Sequence, residues 1–379
     1  MTGTPARTEL PAETEIAVVG GGLMGAATAW AATRRGRAVT LLERFAFGHD
    51  RGSSHGSARI VRRAYADPLY VALTGRSLRL WRELEQDAGS SLLRIIGGID
   101  HGRLRDPEGI AATLAEAGVP HEVLPASEAK CRWPGLRFDG PVLFHPEAGT
   151  VDAAAAVTAF LTRARDRGAS LHAETPVRRI TADGDRVRVE TAHGTVTARR
   201  VVVAAGAWVR DLLDGLVPLP ELTVTQQQVF HFPRRDPDID WPVVVHKDAL
   251  STYSLPGGRD GGPAGGRKIA EHDAGAPTTA DGRSGAVDPV ARERIVGYVR
   301  EWLPGLEPRP VNEATCLYTS TAGDDFVLDR AGPIVVCSPC SGHGAKFAPL
   351  IGEMVTDLAA GGPVPDPRFT LAVHRAAVS

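Results

Sequence analysis

The stretch Ile16-Ala17-Val18-Val19-Gly20-Gly21-Gly22-Leu23-Met24-Gly25 decides the fold. An apolar run meets three spaced glycines, an Ala-rich helical stretch follows to about Arg35, and a second apolar run from Ala38 to Leu42 ends in Glu43. This pattern is a strand, a helix and a second strand. Gly20 permits the tight turn, Gly22 lets backbone approach a pyrophosphate, and Gly25 lets the helix pack on the strand, while the helix N-terminus attracts the anion. Glu43 stands 18 residues past Gly25, where its carboxylate can accept from both ribose hydroxyls of an adenosine and would repel a 2′-phosphate. Dinucleotide binding follows from the combination; the glycines alone would fit an ordinary turn.

Working outward, residues 69–86 read as an amphipathic helix, as do 153–166. The segments Val177 to Ile180, Val187 to Thr191 and Val196 to Ala205, with turns at Asp183-Gly184-Asp185 and His193-Gly194, read as strands. The last contains a continuous apolar run, as expected for a strand buried beside the first unit. From 215 to 316 the texture is alternating strands (Val224 to Phe232, Pro242 to His246) and a helix at 288–303. Phe326 to Asp329, Pro333 to Val336 and a helix from Ala348 to Leu358 return to dinucleotide-domain texture. Gly257 to Gly266, with six glycines, reads as a floppy hairpin tip in preference to a phosphate loop, because no helix start follows.

The 379 residues suffice for two or three cores, at roughly 150 residues each. With 43 basic against 45 acidic residues and no like-charge block, neither a nucleic-acid footprint nor a basic membrane patch is indicated. No apolar run reaches the ~20 residues that span a bilayer, and the N-terminus is too polar for a signal-peptide core, so a cytoplasmic protein is expected. Four cysteines are too few for a disulfide scaffold. Cys337-Ser338-Pro339-Cys340 lacks both a second ligand pair for zinc and a helix start for redox chemistry; packing is the favoured reading, with redox next. No metal site is expected. Only four of the 43 basic residues are lysines (Lys130, Lys247, Lys268, Lys346), which marks them weakly as candidates for tasks needing a compact ammonium.

The segments 52–65 (GSSHGSARIVRRAY), 204–208 (AAGAW), 316–319 (CLYT) and 341–347 (SGHGAKF), in this order, resemble the monomeric sarcosine oxidase and N-methyltryptophan oxidase family of FAD-dependent amine oxidases. The resemblance implies an α/β protein, an FAD-binding Rossmann-like, doubly wound domain (12–85, 145–215, 322–375) interleaved with a mostly antiparallel substrate domain (86–144, 216–321). It implies FAD joined through its 8α carbon to the sulfur of Cys316, for which a buried structural cysteine is the alternative. His55, Arg59 and Arg62 match the basic segment near the flavin ring; a solvated basic helix face is the bland reading. Arg62 and Lys346 match the pair that holds the substrate carboxylate, with a planar guanidinium suited to bidentate binding. Lys268 matches the lysine that promotes reaction with O2, although a simple hairpin lysine would look the same. Tyr253, His272 and Tyr318 match substrate-pocket positions.

Cofactor contacts are then expected from Gly20, Gly22, Gly25, Glu43, Arg44, Val177, Gly206, Trp208, Cys316, Gly342, Gly344 and Lys346, and catalysis from Lys268, Arg59, Arg62, Lys346 and His55. The implied reaction moves hydride from a secondary amino acid to the flavin, reduces O2 to hydrogen peroxide and leaves an imine, in a monomer. Cys340 and Ala345 stand where the family usually has aromatics, which predicts room for an amine larger than sarcosine. A non-covalent FAD enzyme, a nicotinamide dehydrogenase and a catalytically silent flavin-fold protein are the rivals.

Overall fold

The structure is a computed structural model and describes residues 9–262 and 265–376. Its organising sheet is built on strand Glu13–Val19, which lies parallel to both Val39–Leu42 and Gly194–Val203. Ser170–His172 extends the sheet beyond Val39–Leu42, again in parallel. The far edge of Gly194–Val203 is divided between two partners: the antiparallel strand Arg186–Thr191 takes its first half, and Ile334–Ser338 runs parallel to Val201–Val203. The last third of the chain therefore closes the sheet that the first strand began. Val18, Val201, Val202 and Val203 are fully buried, which explains the continuous apolar runs.

Helix Leu23–Arg34 is nearly all Ala, Thr and Gly on its buried faces, so helices Ala153–Asp166 and Ala348–Ala359 can both lie close against it. At the second crossing a Cβ on Gly352 would come within 2.4 Å of the Ala27 carbonyl oxygen, so only glycine allows that approach. Trp30 fills the remaining space, tilted against Phe160 with centroids 5.4 Å apart, and its Nε1 donates to Asp87.

A second sheet of nine strands is built around Thr223–Phe232. Asn312–Ser320 pairs antiparallel along its length on one side, while Arg267–Glu271, Ser251–Pro256 and Val243–Lys247 continue on the other. One parallel pair, Val243–Lys247 with Gly98–His101, joins this late segment to the early strands Gly98–His101, Val142–His145 and Glu122–Leu124. Helix Pro289–Trp302 covers the sheet through Ile295 and Val299, which pack with Phe230, Phe232 and Val244. A third sheet, Arg59–Val61, Gly149–Val151 and Leu93–Ile95, carries the basic segment as a short strand rather than a helix face.

The glycine-rich stretch joins the antiparallel strands Ser251–Pro256 and Arg267–Glu271, as expected of a hairpin tip; residues 263–264 lie outside the described residues, and of the rest the segment 257–261 is docked and not floppy. A short 3-10 turn at Gly258–Gly261 brings Asp260 against the basic segment, where its carboxylate accepts from the Ser57 amide at 2.6 Å. Among the described residues, no helix is long and apolar enough to cross a membrane.

Candidate active site

A single cavity of about 1250 Å³ runs between the two large sheets, from the glycine turn to the loop before helix Ala348–Ala359. At one end Gly20 has φ +105°, and a Cβ there would sit 2.5 Å from the Ala204 oxygen. A Cβ on Gly25 would lie 1.9 Å from the Gly20 oxygen, so helix and strand meet backbone to backbone. The helix that starts at Leu23 has no side-chain cap from Gly22; Leu23 and Met24 line the cavity, and Leu23 N–H donates to Ser54 Oγ at 3.0 Å. A Cβ on Gly22 would come within 2.9 Å of that same oxygen and narrow the passage. Glu43 sits at the strand end as expected, its carboxylate accepting from Gly21 N at 2.6 Å and Phe45 N at 2.8 Å. Val177, Gly206 and Trp208 line the same end. Arg44 and Trp208 share Asp281 at the rim, which they hold below its ordinary pKa, the indole hydrogen bond contributing most.

The middle of the cavity gathers Cys316, Lys268, Arg59 and His55. Cys316 comes from strand Asn312–Ser320, opposite Gln227, and is buried. Lys268, from Arg267–Glu271, is also buried and donates to the Ala58 carbonyl at 3.1 Å. Burial first, and then the nearby Arg59 guanidinium, bring its pKa down to about 7. Arg59 spends its donors on three backbone carbonyls, those of Ser53, His55 and Ala58, so it braces the basic segment. His55 is pushed down to about 4 by burial, with Arg59 adding to it, and is neutral at pH 7.

At the far end Arg62 and Lys346 converge on Tyr65. The Arg62 guanidinium lies 4.3 Å from the ring centroid and donates to the Ala64 carbonyl; Lys346 Nζ lies 5.6 Å from the same centroid and donates to the His343 carbonyl at 2.6 Å. Burial holds both cations below their usual pKa. Neither has a carboxylate partner among the described residues, although unpaired buried charge is expensive. Tyr65 OH is 3.1 Å from His343 Nδ1, and burial pushes the phenol up to about 12. Tyr253, Tyr318 and His272 line this region; burial first, and then the neighbouring Tyr253, push the Tyr318 phenol well above its ordinary pKa, and the rings of His272 and Tyr318 are 5.7 Å apart. Gly342 has φ +68°, and a Cβ there would strike both of those rings. Gly344 abuts the Pro339 oxygen, and Cys340 and Ala345 both face the cavity.

Every site residue expected from the sequence lines this cavity except Gly25, which acts one layer behind it. Three of the four lysines do so as well, and only Lys130 lies elsewhere, exposed on its helix. The sequence did not single out Tyr65, His343, Asp100 or Arg105. Arg105 forms a buried ion pair with Asp100 at 2.6 Å and donates to Ala64 O at 3.0 Å, the same carbonyl that Arg62 uses.

The volume exceeds the roughly 300–1,000 Å³ of ordinary ligand pockets. Its uncapped helix start, glycine-lined passage and the acid at the end of the second strand suit FAD with a small substrate beside it. The comparisons agree. The model of the FAD dependent oxidoreductase family (DAO) matches residues 15–358. The monomeric sarcosine oxidase of Streptomyces avermitilis is 36% identical over 93% of this chain and 95% of its own. The N-methyl-L-tryptophan oxidase of Escherichia coli is 30% identical over 91% and 94%. Among solved structures, NikD, described as an unusual amino acid oxidase essential for nikkomycin biosynthesis, superposes with a TM-score of 0.84 at 28% identity, covering 95% of this chain and 96% of that one. The chain belongs to the FAD-dependent oxidoreductase family, in its monomeric sarcosine oxidase and N-methyl-L-tryptophan oxidase group.

Proposed function

We propose that the protein is a monomeric FAD-dependent oxidase of secondary amino acids, with the cofactor joined through its 8α carbon to Cys316 Sγ. The observation that carries the reading is the convergence of Arg62 and Lys346, two cations without an acidic partner among the described residues, on one aromatic wall of a cavity whose other end has the features of a dinucleotide site. FAD, when bound, supplies a hydride acceptor for the carbon next to the amine nitrogen and a route for both electrons to O2, giving hydrogen peroxide and an imine.

The chain's own residues do the rest. Arg62 and Lys346 take the substrate carboxylate, which removes the penalty of two unpaired cations and fixes the reacting carbon in one orientation. Their charge also favours the neutral amine, so no side-chain base is needed to remove a proton from nitrogen. Tyr253, Tyr318 and His272 close the apolar sides, and His272, pushed down to about 4 by burial and then by Lys247, brings no charge of its own. Lys268 supplies a cation for the charge that develops as O2 is reduced. The smaller Cys340 and Ala345 leave room for a cyclic or aryl-bearing amine in place of the N-methyl group of sarcosine.

A peroxide-coupled screen of secondary amino acids tests the activity. Turnover of proline-like or pipecolate-like acids above sarcosine supports the larger pocket, and a clear preference for sarcosine overturns it. Yellow colour that stays with the acid-precipitated chain supports the Cys316 linkage; colour left in the supernatant favours the non-covalent enzyme.

A further inference from the structure

The substrate end of the cavity holds more positive charge than one carboxylate can satisfy. Of its four cations, Arg105 is matched by Asp100 within a buried ion pair. Arg62 and Lys346 together face the carboxylate assigned to the substrate above. Lys247 is left over: it has no ion pair and no side-chain hydrogen bond among the described residues.

Its position is fixed by backbone. Lys247 ends strand Val243–Lys247, and its carbonyl accepts from Leu104 N at 3.0 Å, which ties it to the loop that carries Arg105. Arg105 and Arg62 in turn donate to the same Ala64 oxygen. Lys247 therefore lines the same end of the cavity as Arg62, Arg105 and Lys346, within electrostatic reach of both guanidiniums. The ammonium is partly buried, and its pKa is lowered by that burial first and by Arg105 and Arg62 after it. Asp324, exposed at the rim, offsets this in part without pairing with it. An uncharged residue at this position would avoid the repulsion.

We propose that Lys247 binds a second carboxylate of the substrate, with Arg105 behind it, so that the substrate is a secondary amino acid with an acidic side chain. This rests on the function proposed above, in which the first carboxylate occupies Arg62 and Lys346. An N-alkyl amino dicarboxylic acid then places one carboxylate on Arg62 and Lys346, with the reacting carbon beside it, and the other on Lys247.

The test compares N-methyl-L-glutamate with its neutral isostere N-methyl-L-glutamine, and N-methyl-L-aspartate with N-methyl-L-asparagine, as reductants of the anaerobic holoenzyme. At least one acid is expected to exceed its amide in the ratio of limiting flavin-reduction rate to dissociation constant by ten- to a hundredfold, and Lys247→Met to shrink that advantage at least tenfold, with Lys247→Arg restoring part of it. Binding provides a second readout: glutarate should perturb the flavin spectrum at a lower concentration than butyrate, and Lys247→Met should erase the difference. If the amides match the acids in the parent enzyme, or if Lys247→Met leaves the ratio unchanged, the second site is wrong while the amino acid oxidase reading stands. If neither acids nor amides nor simpler secondary amino acids reduce the flavin, both readings fall together.

Discussion

Lys268→Met isolates the role of a buried ammonium, because methionine keeps an unbranched apolar stem and removes the charged group together with its one hydrogen bond. In the unfolded chain a lysine titrates near 10.4; in the fold, burial and Arg59 bring Lys268 to about 7. As pH falls from 10 toward 7 the unfolded chain gains a proton that the folded chain lacks, so stability drops over that window and levels off below it. The full depression corresponds to an upper bound of about 5 kcal/mol, and losing the hydrogen bond to Ala58 removes about 1 kcal/mol from the variant's gain. Flavin-free Lys268→Met, made under riboflavin limitation, should therefore be more stable than the parent at pH 7 by a few kcal/mol. The gap should close as the pH approaches 10. Urea unfolding across that range reads it directly. In the holoprotein, reduction by substrate should change little, while reoxidation by O2 should slow by about 10²–10³-fold, the usual size for loss of a preorganised charge-stabilising group. Parallel stability curves at all pH values would refute the buried-cation argument, and unchanged reoxidation would remove Lys268 from the oxygen reaction.

Cys316→Ser should yield a chain whose denatured mass carries no added nucleotide, where the parent shows the mass of FAD. Arg62→Gln or Lys346→Met should weaken substrate binding by at least tenfold in anaerobic titrations, because each removes a charge-assisted contact with the carboxylate. Gly25→Ala places a methyl group 1.9 Å from the Gly20 oxygen, so it should cost about 1–3 kcal/mol in denaturant unfolding and lower the flavin content of the purified protein.

The dinucleotide end was legible because backbone geometry dictates residue type there. Gly20, Gly22 and Gly25 are each required by a close approach, and Glu43 by its place at a strand end. Helix 153–166 and the strands around 177–203 were legible from periodicity and turn residues, and the structure places them within a few residues of those limits. The substrate end was only half legible. Arg62 and Lys346 lie in short motifs, but Asp100, Arg105 and Lys247 come from an early strand, its loop and a late strand, and only the parallel pairing of Gly98–His101 with Val243–Lys247 brings them together. No local spacing encodes that pairing. The glycine-rich tip misled for a related reason: composition suggests freedom, while the docking of Asp260 on Ser57 depends on a residue some 200 positions away.

The most direct measurement is an anaerobic titration of the purified yellow protein with a panel of secondary amino acids, followed by its visible absorbance. The account predicts stoichiometric bleaching by at least one of them, restored on admitting air with release of hydrogen peroxide. A protein that is colourless after expression with ample riboflavin, or a flavin that no secondary amino acid bleaches, would contradict it.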